Sequence, residues 1–193
     1  TDDQLTLDTA ANVILTVTDA GTETLLATDL STLGGRTTGT VTVSNAVTIS
    51  GSPSEVTAAL VTADTLVVAA TAKVSISGNT SVGEANAIAA KTAGVVTATI
   101  SEEDVTTLLT LTDSQVNAYT ITITDPTATA EDLNTINGKT SVVVDATAVE
   151  TISGSLAELL AATDDQLTLD TAANVILMVT DAGTETLLAT DLS

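Results

Sequence analysis

The chain has 193 residues, with 25 Asp and Glu against four Lys and Arg, a formal charge of −21, and no His, Cys, Trp or Phe. That balance repels phosphate backbones and anionic lipid headgroups, so neither nucleic acid nor a membrane surface is an expected partner, and the missing residues exclude disulfides, thiolate or imidazole metal sites and His-based triads. Apolar residues make up 44% and are almost all Ala, Val, Leu and Ile, enough for a core; the longest apolar run, as in Leu66 to Ala70, is five residues, against about 20 for a bilayer span.

Along the chain, Val13 to Val17, rich in branched apolar residues with Thr16 between Leu15 and Val17, predicts a strand. Leu26, Leu30 and Leu33 follow at helical spacing and stop at Gly34-Gly35. Thr40 to Val43 is again strand-like, and Ser52-Pro53 with Glu55 opens a helix carrying Val56 and Leu60 on one face. An extended piece is expected at Asp64 to Ala69, then a strand at Val74 to Ile76. Ser81 with Glu84 starts a helix carrying Ala85 and Ile88, and Gly94 reads as a stop.

Ser101 with Asp104 predicts the next helix, with Val105, Leu108 and Leu109 inward; Thr120 to Thr124 is a strand. Pro126 falls beside another start, Thr129 with Asp132, and Leu133 and Ile136 continue that helix to Asn137-Gly138. Val142 to Asp145 reads as extended, Ser155 with Glu158 as the last helix start, and Gln166 to Asp170 as a final extended piece.

Two repeats organise these elements. Residues 1 to 31 return as 163 to 193 with a single difference, Thr16 against Met178, an identity that marks recent duplication and not convergence on a fold. Met178 reflects drift between copies or a residue placed for phasing. A chain that opens on Thr1 is expected to be a window from a longer tandem array. Inside the 162-residue period a shorter phrase recurs, anchored at Val17, Ile49, Ile76, Ile100, Ile123, Ile152 and Val179, giving six units of about 27 residues. A strand, a turn, a two-to-three-turn helix and one or two further strands cannot bury their apolar faces alone.

The expected fold is therefore α/β, a right-handed solenoid of strand–helix–strand coils with a parallel sheet. It forms one continuous body over 1–193, in which 1–162 is a full repeat of six coils and 163–193 begins the next. A β-helix without helices and a string of β-sandwiches are the alternatives.

Adjacent acids at Asp2-Asp3, Glu131-Asp132 and Asp164-Asp165 read as surface charge or caps, because sequence neighbours diverge on a strand or helix. The loop Asp19 to Glu23 is the nearest approach to a calcium loop, without EF-hand spacing. Thr-x-Thr steps at Thr40, Thr97 and Thr120 suggest ice-binding ladders, against the plainer reading of Thr on a strand's wet face. No catalytic, cofactor-binding or metal-ligating residue is assigned, and no cofactor or enzymatic activity is expected.

The phrases ISGSLAELLAATDDQLTLD, VTDAGTETLLATDLSTLGG and ITDPTATAEDLNTINGKTSVVVDATAV resemble tandem-repeat regions of giant bacterial, often cyanobacterial, adhesin-like surface proteins. The resemblance covers the whole chain in composition and rhythm. It implies an extracellular, very long, non-enzymatic protein acting as a stalk, fibre or coat, whose partners are neighbouring repeats of the same chain, with end-to-end self-association. A binding module for glycan, ice or mineral, with or without calcium, is the alternative.

Overall fold

The computed structural model describes residues 11–65, 67–112, 116–164 and 169–181. Strands and helices alternate, and every strand pair described is parallel, which makes the protein α/β. The parallel pairing and the six α-helices among the described residues set aside both the sandwich and the helix-free β-helix. Contacts group the chain into two units, Thr1–Ser77 with Ala87–Val95, and Gly78–Asn86 with Val96–Ser193.

In the first unit, β1 (Leu15–Val17), β3 (Val41–Val43) and β5 (Val67–Val68) form one row. A second row is β2 (Thr24–Leu26), β4 (Thr48–Gly51) and the beginning of β6 (Lys73–Thr80). Helix α1 (Ala27–Gly34) follows β2, and α2 (Pro53–Leu60) follows β4 and packs beside α1. In chain order, β1, β2 and α1 and then β3, β4 and α2 each add one strand to both rows and one helix. Val41, Val43, Ile49, Val56, Ala59 and Val74 are buried between these layers, while alternate residues such as Thr40 and Ser75 are exposed, as a two-residue period requires.

Helix α3 (Val82–Ala89) follows β6 in the chain. The second unit contains β7 (Val96–Ile100), which pairs with β8 (Ala118–Thr120). A further row is β9 (Thr127–Thr129), β11 (Thr151–Gly154) and β13 (Ile176–Val179), and β10 (Val144–Ala146) pairs with β12 (Leu169–Thr171). Helices α4 (Val105–Leu108), α5 (Ala130–Asn137) and α6 (Leu156–Asp164) succeed one another, α4 beside α5 and α5 beside α6. Ile121, Ile123, Leu133, Ile136, Val144 and Ile152 form its core.

Partners along the rows lie 26 residues apart at Leu15–Val41, 24 at Leu25–Ile49, 25 at Ile49–Val74 and 21 at Ala98–Tyr119. The rungs are therefore shorter than the expected 27 residues. Ile49 pairs with Leu25 and Val74, and Val17 with Val43, so the recurring phrase marks strand chemistry in two different rows. The coil carrying α4 is the short one. From β7 it goes directly into the helix, as the close spacing of Ile76, Ile100 and Ile123 suggests.

Four of the five expected helix starts form as read. Ser52 accepts from Glu55 N at 3.4 Å while its own amide donates to Glu55 Oε2 at 2.8 Å. Ser81 with Glu84 and Ser155 with Glu158 repeat this reciprocal pair, and Thr129 accepts from Asp132 N. The exception is Ser101. Asp104 itself caps α4, accepting from Thr107 N at 2.8 Å, because a carboxylate one residue before the helix outcompetes a hydroxyl three residues further back.

Pro126 also departs from expectation: it precedes β9, and its carbonyl accepts from Glu150 and Thr151. Of the predicted extended pieces, Val142 to Asp145 leads into β10 and Asp64 to Ala69 contains β5, whereas Gln166 to Thr168 lie outside the described residues.

Candidate functional site

The most regular chemistry among the described residues joins one strand–helix segment to the next along the chain. After helices α1, α3 and α5 stand Arg36-Thr37-Thr38-Gly39, Lys91-Thr92-Ala93-Gly94 and Lys139-Thr140-Ser141-Val142, which place three of the four cations at helix carboxyl ends, where the macrodipole favours them. In each, the cation's amide donates back to the helix, to Leu33, Ile88 or Ile136 O. The Thr hydroxyl then donates to a backbone carbonyl 20 to 24 residues earlier in the chain, respectively Val13 and Ala72 O, each just before a strand, and Tyr119 O within β8, and accepts from the amide two residues on.

The residue after that Thr donates its amide to the preceding coil as well, to Ala11 O at 2.7 Å, Ala70 O at 2.8 Å and Asn117 O at 2.9 Å. This staple was not singled out in the sequence, although the pattern cation-Thr-x-(Gly/Val) after a helix was there to be read. Gly39 and Gly94 belong to it. A Cβ at Gly39 would lie 2.3 Å from Val13 O, and one at Gly94 2.2 Å from Ala72 O, so Gly94 is a close-approach residue and not the helix stop expected of it.

Carboxylates form a second set of seams. Glu102 accepts from Val82 N at 3.0 Å, Asp125 from Val105 N at 2.6 Å and Asp181 from Leu156 N at 2.8 Å, each reaching 20 to 25 residues back to the first turn of the preceding helix. Within single helices, hydrogen bonds from Ser81's hydroxyl and then its amide hold Glu84 below the ordinary glutamate range. The Ser52 amide and hydroxyl do the same for Glu55, and the Thr107 amide and hydroxyl for Asp104.

Amide side chains add a third set. Asn86 donates to Thr110 O and accepts from Thr112 N, and Asn134 donates to Glu158 O. Asn117 accepts from Val96 N at 2.7 Å and donates to the hydroxyl of Tyr119, the one aromatic residue of the chain, which is fully buried.

The expected binding features fall as follows. Among the described residues Thr pairs run side by side for two rungs: Thr16–Thr42 is succeeded by Val68, Thr24–Thr48 by Lys73, and Thr127–Thr151 by Ile176, while Thr99 pairs with Thr120 and Thr97 with Ala118. Asp19 and Glu23 are both exposed, and the Asp19 carbonyl is taken by Asn45 at 2.7 Å.

Glu131 and Asp132 sit in the first turn of α5; Asp2, Asp3 and Asp165 lie outside the described residues. No group of three or more Asp and Glu among the described residues is placed to hold a metal ion. An open pocket of about 430 Å³ lies in the second unit between Thr147–Glu150 and Ala172, Asn174, Val175 and Ile176, with Glu150 its one ionisable residue among the described ones.

The duplicated segment is seen in two settings. Leu15–Val17 pairs with β3, a strand of the coil that follows it. Its copy Leu177–Val179 pairs with β11, a strand of the coil that precedes it. Compared with known proteins, the chain matches no family model, no curated protein and no solved structure.

Proposed function

We propose that the chain is a segment of a tandem array that forms a right-handed α/β solenoid and serves as a non-enzymatic stalk, fibre or coat spacer of a long extracellular surface protein. The observation that carries this reading is where the hydrogen-bonding chemistry goes. The Thr staples, the carboxylates that reach back to helix starts and the bridging Asn residues all tie one coil to its neighbour. Stability in such an arrangement is a sum of nearest-neighbour terms, so length is added without a new core. Exposed Asp and Glu keep the surface strongly anionic and solvated. Thr rows that stop after two rungs and a buried Tyr119 offer little to an ice lattice or a sugar ring.

Two measurements test the role. Antibodies against the repeat should label intact cells of the source organism. Deleting whole 162-residue repeats in frame, with the rest of the protein retained, should shorten its reach while leaving its ligand specificity unchanged. A loss of binding proportional to the repeats removed contradicts the stalk and supports a binding module.

A further inference from the structure

We infer that Ile14–Val17 and its copy Ile176–Val179 are two views of one joint, a strand through which each copy of the 162-residue repeat hydrogen-bonds to the next copy. The inference rests on the tandem-coil reading above and names the partner of this edge: a second copy of the same repeat.

Neighbouring residues of a parallel strand direct their N–H and C=O groups to opposite edges. In the first copy the groups that pair with backbone of the following segment belong to odd-numbered residues: Leu15 N donates to Thr40 O at 3.0 Å, Val17 O accepts from Ser44 N at 3.1 Å, and Ala11 O accepts from Thr38 N. In the second copy the opposite edge is in use. Ile176 N donates to Glu150 O and Thr180 N to Gly154 O, both at 2.9 Å, and these residues are the counterparts of Ile14 and Thr18. Asp181, the counterpart of Asp19, also faces that way, accepting from Leu156 N. Among the described residues no backbone group takes part in strand pairing in both settings, so one strand can hold both neighbours at once.

The second unit contains such a strand. Residues 118–124 pair through β8 with β7, and Thr124 N donates to Glu103 O. On the other edge Ile121 O accepts from Asp145 N, and Ile123 N donates to Asp145 O. Thr122-Ile123-Thr124-Asp125 matches Thr16-Val17-Thr18-Asp19 in pattern, and the parity agrees: Ile121 and Ile123 face the following coil as Leu15 and Val17 do. Asp125 caps the helix of the preceding coil as Asp181 does. Thr140 and Ser141 staple this strand as Thr37 and Thr38 staple the first copy.

The open edges are apolar. Ile14 is 74% exposed, and Ile176, Leu177, Met178 and Val179 are between 42% and 61% exposed; Ile121 and Ile123, the equivalents of Leu177 and Val179 in the interior of the second unit, are buried.

The test is amide hydrogen exchange, read residue by residue, on the 193-residue chain and on a chain of two repeats in which residues 1–162 precede residues 1–193. In the shorter chain Leu15 should exchange slowly and Ile14 and Thr18 rapidly, while Ile176 and Thr180 are slow and Leu177 is fast. In the longer chain the middle copy should protect both sets, with the newly paired amides slowed by at least about tenfold. Ile14→Pro in the middle copy removes a donor used only in the joint. It should restore fast exchange on that edge without changing protection inside either repeat.

A middle copy that keeps the one-edged pattern of either end overturns the joint and leaves the coil reading intact. Fast exchange at Leu15 and Ile176 in the shorter chain would instead refute the coils themselves.

Discussion

Gly94→Ala and Gly83→Ala are chemically identical changes with opposite expected signs. At Gly94 the added methyl would stand 2.2 Å from Ala72 O and 2.6 Å from its carbonyl carbon, roughly 1 Å inside ordinary contact. The obstacle is backbone, held by the Ala93 N to Ala70 O bond at 2.8 Å and the Thr92 staple, so relief requires opening the seam. Losing two or three such hydrogen bonds at about 1 kcal/mol each, with their groups left part-buried, costs about 2–4 kcal/mol.

At Gly83, in the first turn of α3, a methyl meets nothing within 4 Å, and replacing Gly in a helix gains about 0.5–1 kcal/mol. Urea unfolding followed by far-ultraviolet circular dichroism compares both with the parent chain. A Gly94→Ala variant within about 0.5 kcal/mol of the parent would refute the account of the seam.

Thr140→Val keeps shape and deletes a hydroxyl that bonds Tyr119 O, Tyr119 N and Val142 N; a loss of about 2–3 kcal/mol is expected in the same assay. Thr80 is fully buried, and its hydroxyl has no hydrogen-bond partner among the described residues. Thr80→Val should therefore leave the urea midpoint unchanged or raise it, and a lowered midpoint would contradict that assignment.

Glu84 titrates below its ordinary range in the folded chain. Its contribution is present above the unfolded value of about 4.3 and is lost as pH falls through the lower folded value. The stability difference between the parent and Glu84→Gln should consequently shrink below about pH 4, and a gap constant from pH 7 to pH 2 would refute the linkage.

How much of this was legible in the sequence differs by element. Short-range chemistry was: the Ser52, Ser81, Thr129 and Ser155 starts form because hydroxyl and acid lie three residues apart in the same turn. Alternation along Val41–Val43 and Ile121–Ile123 placed the buried faces correctly. Register was not, since Ile49 finds Leu25 and Val74 through packing across some 25 residues, and a two-residue slip preserves the alternation that sequence can display. The staples escaped notice because Thr37, Thr92 and Thr140 look like ordinary strand or loop threonines until the carbonyl they meet is known.

The central claim is that added repeats add length. Small-angle X-ray scattering on chains of one, two and three repeats tests it directly. Six coils per repeat at a strand spacing of about 4.8 Å predict that the maximum dimension grows linearly, by roughly 29 Å per 162 residues. Growth that levels off with repeat number, as for a globular or loosely hinged chain, would contradict it.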